Sequence, residues 1–173
     1  MTTDSNKVKY FVDTSALIRL FRFYPEDLRD QIWNKLEPMF KAGYLVSHRL
    51  VYDEVTTTSK NPDVLSKKVK PLKEYFKTMK YGQLKLVADI VKKFPGLIDP
   101  SQEKEQADPW LIAIAIEEKT KNPSLETCVV SEESETKPHK IPAVCTHYKI
   151  KHLNLDRFYK DIGLSFKIVS KRE

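Results

Sequence analysis

Glycine is scarce in this sequence, with 4 in 173 residues. Loops that cradle phosphates, such as G-x-x-x-x-G-K-[ST], and the dinucleotide fingerprint G-x-G-x-x-G both need closely spaced glycines. Neither pattern can be drawn here. Nucleotide and dinucleotide cofactors therefore lose their usual sequence support.

Cysteine and long apolar runs are also scarce. The longest apolar stretches, such as Leu111 to Ile116, are far shorter than the ~20 residues of a membrane-spanning helix. The polar start of the chain lacks the apolar core of a signal peptide, so we expect a cytoplasmic protein with no membrane segment. The two cysteines, Cys128 and Cys145, lie in apolar surroundings, and we expect reduced core thiols. A disulfide or a metal pair is the alternative.

Charge, in contrast, is abundant and unevenly placed. The chain is 31% charged and 40% hydrophobic, which is typical of a soluble globular protein, and its length suits one domain over residues 1–173. The net charge is +6, and the segment from Lys60 to Lys93 contains ten lysines and three acids. Such a segment favours a polyanionic partner, although a solvated helix face is an equally simple interpretation.

Strand-like and helix-like patterns alternate along the chain. Short β-rich or apolar runs predict strands at Val8 to Val12, residues 44–46, Glu126 to Val130 and residues 150–153. Helical spacing separates them, and two lysine-rich amphipathic helices within 62–94 form an insertion at about 60–95. This alternation predicts an α/β fold with a central parallel β-sheet flanked by helices on both faces.

Acidic residues are predicted where ligands usually bind in such sheets, beyond the carboxyl ends of the strands. The acids are Asp13 after the first strand, Glu54 in a helix that Ser47 could cap, Asp108 at the start of the central helix, and Glu132 and Glu133 after the strand ending at Val130. Several carboxylates without a Cys or His cluster suit Mg²⁺ or Mn²⁺ better than zinc.

Simpler interpretations exist for each acid. Asp13 and Asp108 could each be a helix N-cap and nothing more, and Asp108 has a proline directly after it. Glu132 and Glu133 lie in a charged loop over 131–140, where acids are common. The histidines 139, 147 and 152 lack ligand spacing, so we expect surface or packing roles for them.

The segments around these acids resemble PIN-domain nucleases, the class that includes VapC-type toxins. The similar segments are Tyr10 to Ala16 with the first acidic motif, Glu54 in the place of the second acid, Ala107 to Ala113 with the helix-opening third motif, and Val129 to Glu133, which is similar to Val-Val-Thr-x-Asp. In the last segment Ser131 stands for threonine and Glu133 for aspartate. Residues 140–145 further resemble an uncharacterised bacterial and archaeal branch of PIN-like proteins.

The resemblance implies a single-domain PIN-like fold and a metal-dependent endoribonuclease. The implied ligands of Mg²⁺ or Mn²⁺ are Asp13, Glu54, Asp108 and Glu133, with Glu132 as a substitute for Glu133. Such ions lower the pKa of a bound water and neutralise charge on the phosphodiester. Thr14 or Ser131 could orient a ligand or a water by a hydrogen bond.

The implied partner is RNA, single-stranded or structured. Lys67, Lys68 and Lys70 in the insertion would contact its phosphates without reading its sequence. The same resemblance allows the toxin of a toxin–antitoxin pair, with an antitoxin protein as a partner, and a homodimer. Two alternatives stay open: a catalytically silent PIN-like RNA-binding module, and another metal-dependent phosphodiesterase or phosphatase on a similar sheet.

Overall fold

A computed structural model describes residues 8–57 and 64–165 of the chain. Within these ranges there are five strands: β1 (Val8–Val12), β2 (Leu45–His48), β3 (Phe76–Lys77), β4 (Glu126–Val130) and β5 (Lys151–Leu153). The same ranges contain eight α-helices: α1 (Thr14–Phe23), α2 (Glu26–Ala42), α3 (Arg49–Thr57), α4 (Val64–Val69), α5 (Leu84–Lys93), α6 (Ala107–Lys121), α7 (Ile141–His147) and α8 (Leu155–Asp161). Short 3-10 helices lie at Lys70–Tyr75, Tyr81–Gln83 and Pro95–Leu97.

The strands form one parallel sheet in the order β3-β2-β1-β4-β5. In the register, Tyr10 of β1 lies between Leu45 of β2 and Cys128 of β4. The predicted α/β fold is confirmed, β1 and β4 have the predicted bounds, and the arrangement is consistent with a single-domain PIN-like fold. No helix in the described part of the chain is long and apolar enough to cross a membrane.

Each face of the sheet has its own apolar core, because successive side chains of a strand point to opposite faces. On the first face, Tyr10 and Val12 of β1 pack in one cluster with α1 to α4 and α8. On the second face, Phe11 packs in another cluster with α5, α6 and α7. Helices therefore cover both faces, as predicted.

The two cysteines belong to different cores. Cys128 lies on the first face and Cys145 on the second, and both are buried and free. Burial raises the pKa of each thiol to about 12. The prediction of reduced core thiols is confirmed, and these thiols are kept in the unreactive protonated form.

The lysine-rich insertion differs from its prediction as two helices. Its first helix, α4, ends at Val69, where a 3-10 helix containing Pro71 follows, because proline removes a backbone donor and blocks a regular helix. The chain then forms β3, which pairs with Ser47 and His48 of β2 at the sheet edge. The insertion thus passes around this edge, with α4 on the first face and α5 on the second. Residues 60–63 lie outside the described ranges.

Two predicted helix caps are wrong. Ser47 lies in β2, where its hydroxyl donates to the Val12 carbonyl at 2.7 Å, and α3 begins at Arg49. The N-cap of α6 is Gln106, so Asp108 lies in the first helical turn. A carboxylate distant in the sequence, Glu54, accepts the hydrogen bond of a first-turn amide there, and local sequence alone cannot reveal such a partner.

Candidate metal centre

Asp13 lies at the carboxyl end of β1 and is the N-cap of α1. One carboxylate oxygen, Oδ2, accepts hydrogen bonds from the backbone N–H and the hydroxyl of Ser15, at 3.0 and 2.6 Å. The other, Oδ1, is buried and has no hydrogen-bond partner among the described residues, and the side chain is 3% exposed. A buried carboxylate oxygen without a partner is costly, so it points to a ligand that would satisfy it.

Glu54 joins the starts of two helices. Its Oε2 accepts a short hydrogen bond from the Thr14 hydroxyl at the start of α1. Its Oε1 accepts from the backbone N–H of Ala107 at the start of α6, at 3.3 Å. Because both helices begin just beyond the carboxyl edge of the sheet, these bonds hold Glu54 at the same edge as Asp13.

Asp108 is surrounded by other acids. Burial raises its pKa, and the charges of Asp13, Glu133 and Glu54 raise it further, to about 9, against a lowering effect of Lys140. Burial also raises the pKa of Asp13, to about 6, in spite of hydrogen bonds that favour its charged form. The structure therefore brings Asp13, Glu54 and Glu133 close enough to Asp108 for their charges to oppose its ionisation. Repulsion of this kind is typical of functional sites and is relieved by a cation.

Glu133 is held at the start of α7. Its Oε1 pairs with the Lys140 ammonium at 2.8 Å, and its Oε2 accepts from the backbone N–H of Ile141 at 2.9 Å. The glutamate that stands in place of the expected aspartate thus reaches across seven residues to α7, and it still lies close enough to Asp13 and Asp108 to raise their pKa values.

Glu132 and Ser131 have hydrogen-bond and ion-pair partners outside the four-acid cluster. Glu132 accepts from the backbone N–H of Leu155 at 2.6 Å and pairs with Arg19 at 3.1 Å. The Ser131 hydroxyl lies 2.9 Å from Nε2 of His152. Of the two predicted supporting hydroxyls, the structure places Thr14 on a cluster carboxylate and Ser131 on His152.

The donor set fits a hard divalent cation. Asp13, Glu54, Asp108 and Glu133 offer carboxylate oxygens, which Mg²⁺ and Mn²⁺ prefer. In residues 8–57 and 64–165, no group of three or more His, Cys, Asp or Glu side chains is already arranged to hold a metal ion. Like charges oppose a closer approach of these carboxylates, and a cation would reduce that repulsion. The unpartnered oxygen of Asp13 is the donor best prepared to receive one.

Two neighbours of the site were not predicted. Ser15 fixes the Asp13 carboxylate, and the Asp-x-Ser spacing is the signal that could have found it. His48, at the end of β2, is buried and stacks on Trp110 of α6, with ring centroids 5.5 Å apart. Burial lowers the pKa of His48 to about 4, so it is a neutral packing group beside the site.

The three lysines predicted to contact RNA lie on or just after α4. Lys67 and Lys70 are exposed, whereas Lys68 is partly exposed and lies 3.3 Å from Asp30. They belong to the part of the insertion on the first face of the sheet. The lysines of α5 belong to a helix that packs on the second face.

Fold and site together define an α/β protein with four carboxylates gathered at the carboxyl edge of a parallel sheet. Residues 10–166 match the model of a family described as "Domain of unknown function (DUF4411)", and the chain belongs to this family. The match covers all four acids of the cluster. A search of curated proteins found no match. Nothing in the family description links it to PIN domains, so that resemblance stays a prediction.

Proposed function

We propose that this protein is a ribonuclease that hydrolyses RNA phosphodiester bonds with Mg²⁺ or Mn²⁺ held by Asp13, Glu54, Asp108 and Glu133. The observation that carries the proposal is the buried, unpartnered Oδ1 of Asp13, in a cluster where the charges of Asp13, Glu54 and Glu133 oppose the ionisation of Asp108. Buried carboxylates close to one another destabilise the fold, and a bound cation would offset this destabilisation.

The surrounding residues prepare the carboxylates for such an ion. Ser15 fixes one oxygen of Asp13 and leaves the other available. Thr14 and the Ala107 N–H orient Glu54, as hydrogen bonds behind metal ligands commonly do. A bound divalent ion would supply activation of water and neutralisation of the charge that develops on the phosphodiester.

The choice of RNA as substrate is supported by charge. The excess of lysine between Lys60 and Lys93 provides contacts for a polyanion, and Lys67 and Lys70 are exposed. The acidic cluster itself repels phosphate until cations occupy it. An RNA strand would therefore be held by lysines and would enter the site together with metal.

A second candidate is an RNA-binding module with the same fold and no catalysis. Both carboxylate oxygens of Glu133 already accept hydrogen bonds, from Lys140 and from the Ile141 N–H. If Glu133 keeps its ion pair with Lys140 when RNA binds, Asp13, Glu54 and Asp108 are left for metal. In that case the protein would bind RNA without cleaving it.

The test follows cleavage of a mixed-sequence single-stranded RNA during titration with Mn²⁺ or Mg²⁺. Wild-type protein should cleave only with metal, and Asp13→Asn and Asp108→Asn should each lose at least about a hundredfold in rate, as expected when a metal ligand is lost. Asp156→Asn is the matched control, because Asp156 is an exposed first-turn acid of α8. Metal-dependent RNA binding without cleavage would favour the second candidate, and equal activity of wild type and Asp108→Asn would contradict both.

A further inference from the structure

Lys140 places a positive charge inside the acidic cluster. Its ammonium lies 2.8 Å from Oε1 of Glu133, and its side chain is 33% exposed. It is also near enough to Asp108 to lower the pKa of that carboxyl, and the charges of Asp108 and Asp13 in turn raise the pKa of the lysine. Three of the four proposed metal ligands therefore share this one lysine as a neighbour.

Two other basic side chains near the same edge, Arg19 and Arg157, are paired with acids outside the four-acid cluster. Arg19 lies 3.1 Å from Glu132, and Arg157 lies 2.9 Å from Glu135. Lys140, in contrast, is paired directly with one of the four carboxylates, that of Glu133.

The backbone of Lys140 is fixed while its side chain is long and partly exposed. Lys140 is the N-cap of α7, and its carbonyl accepts from the N–H of Ala143 at 3.0 Å. The next residue, Ile141, holds Oε2 of Glu133. The ammonium can therefore leave Glu133 by rotating its four-carbon stem, and Glu133 stays anchored through the Ile141 N–H.

We propose that Lys140 is a built-in counter-cation of the cluster, which competes with the divalent ion for Glu133 and, once displaced, contacts the phosphate of bound RNA. This inference rests on the proposed function. Before metal binds, the ammonium neutralises part of the clustered charge. After metal binds, it is a mobile cation at the rim of the site, where a lysine suits a phosphate as a point charge.

The test measures the Mn²⁺ dissociation constant by calorimetry without RNA, for wild type, Lys140→Gln and Lys140→Arg. Removing the competing charge should tighten Mn²⁺ binding about tenfold in Lys140→Gln, whereas Lys140→Arg, which keeps the charge, should stay near wild type. Lys137→Gln is the matched control, since Lys137 is an exposed lysine three residues earlier in the same loop. Circular dichroism checks that each variant is folded.

RNA affinity of the metal-loaded proteins is the second readout. Ca²⁺ serves as the metal in this assay, to limit cleavage, and Lys140→Gln should bind RNA several-fold more weakly than Lys137→Gln. An unchanged or weaker Mn²⁺ affinity in Lys140→Gln would overturn the inference while leaving the proposed function intact. If neither wild type nor Lys140→Gln binds Mn²⁺, the proposed function fails and the inference fails with it. Binding that appears only in Lys140→Gln supports both.

Discussion

Replacing Asp108 with asparagine should stabilise the metal-free protein, although it should destroy the proposed activity. The physical reason is that burial and three neighbouring acids raise the pKa of Asp108 from its ordinary 3.8 to about 9. When folding raises the pKa of a carboxyl group, the stability of the fold is highest at a pH below the pKa of that group in the unfolded chain. That stability is lost as the pH rises from about 4 towards 9. Asparagine has a similar shape and carries no charge, so its variant avoids this loss.

The size of the effect follows from the pH interval. A pH of 8 is about four units above the ordinary pKa of 3.8, and each unit costs about 1.4 kcal/mol, which sets an upper limit of about 6 kcal/mol. Asp108 is partly exposed, which screens its charge, and the first turn of α6 favours a carboxylate by about 0.5–1 kcal/mol. We therefore expect Asp108→Asn to gain about 2–3 kcal/mol in the free energy of unfolding at pH 8.

Urea unfolding in EDTA at pH 5, 6.5 and 8 would measure this gain. It should grow with pH, because the wild-type carboxyl is driven to ionise. Asp156→Asn should show no such growth, since Asp156 is an exposed acid in the first turn of α8. Addition of Mn²⁺ should stabilise wild type and leave Asp108→Asn almost unchanged. A loss of stability in Asp108→Asn at pH 8, or a gain independent of pH, would refute the reasoning.

The remaining predictions concern the partners of the site, the turns and the lysines. Thr14→Val removes the hydroxyl that orients Glu54 and should weaken Mn²⁺ binding by about 10- to 100-fold in calorimetry, whereas Thr14→Ser should retain most of it. Gly43→Ala should lower the free energy of unfolding by about 1 kcal/mol, because Gly43 has φ +77°. Gly82→Ala is the control and should lower it less, because φ is not positive there and an added Cβ meets nothing within 4 Å. Equal losses of stability in the two variants would contradict this argument. Neutralising the three lysines of the first face should reduce the salt dependence of RNA binding by about two to three charges, and an unchanged slope would favour a solvated face. These lysines are Lys67, Lys68 and Lys70.

The sequence was most informative about the long or strongly patterned elements. The apolar runs of β1 and β4 end at polar residues, and their predicted bounds agree with the structure. In contrast, β3 has two residues, too few to show a period of two, and its place at the sheet edge depends on pairing with Ser47 and His48. The formation of β3 therefore depends on tertiary pairing, which the local sequence pattern does not show.

The sequence likewise indicated where the acids of the candidate site lie in the fold, but not which residues they contact. Strand ends indicated which acids would share one edge, and the structure gathers Asp13, Glu54, Asp108 and Glu133 there. The orientation of Glu132 towards Arg19 and the start of α8, however, depends on elements distant in sequence. The same holds for the unpartnered oxygen of Asp13, because residues from distant parts of the sequence pack around it and none of those described bonds to it.

The most direct test of the central claim is a crystal structure of the protein soaked in Mn²⁺, with the metal located by its anomalous scattering. We expect a peak within about 2.5 Å of Oδ1 of Asp13, with further carboxylates of the cluster completing its oxygen ligands. The same soak of Asp13→Asn should show the peak lost or much weakened. Well-ordered carboxylates with no anomalous peak between them at saturating Mn²⁺ would contradict the account.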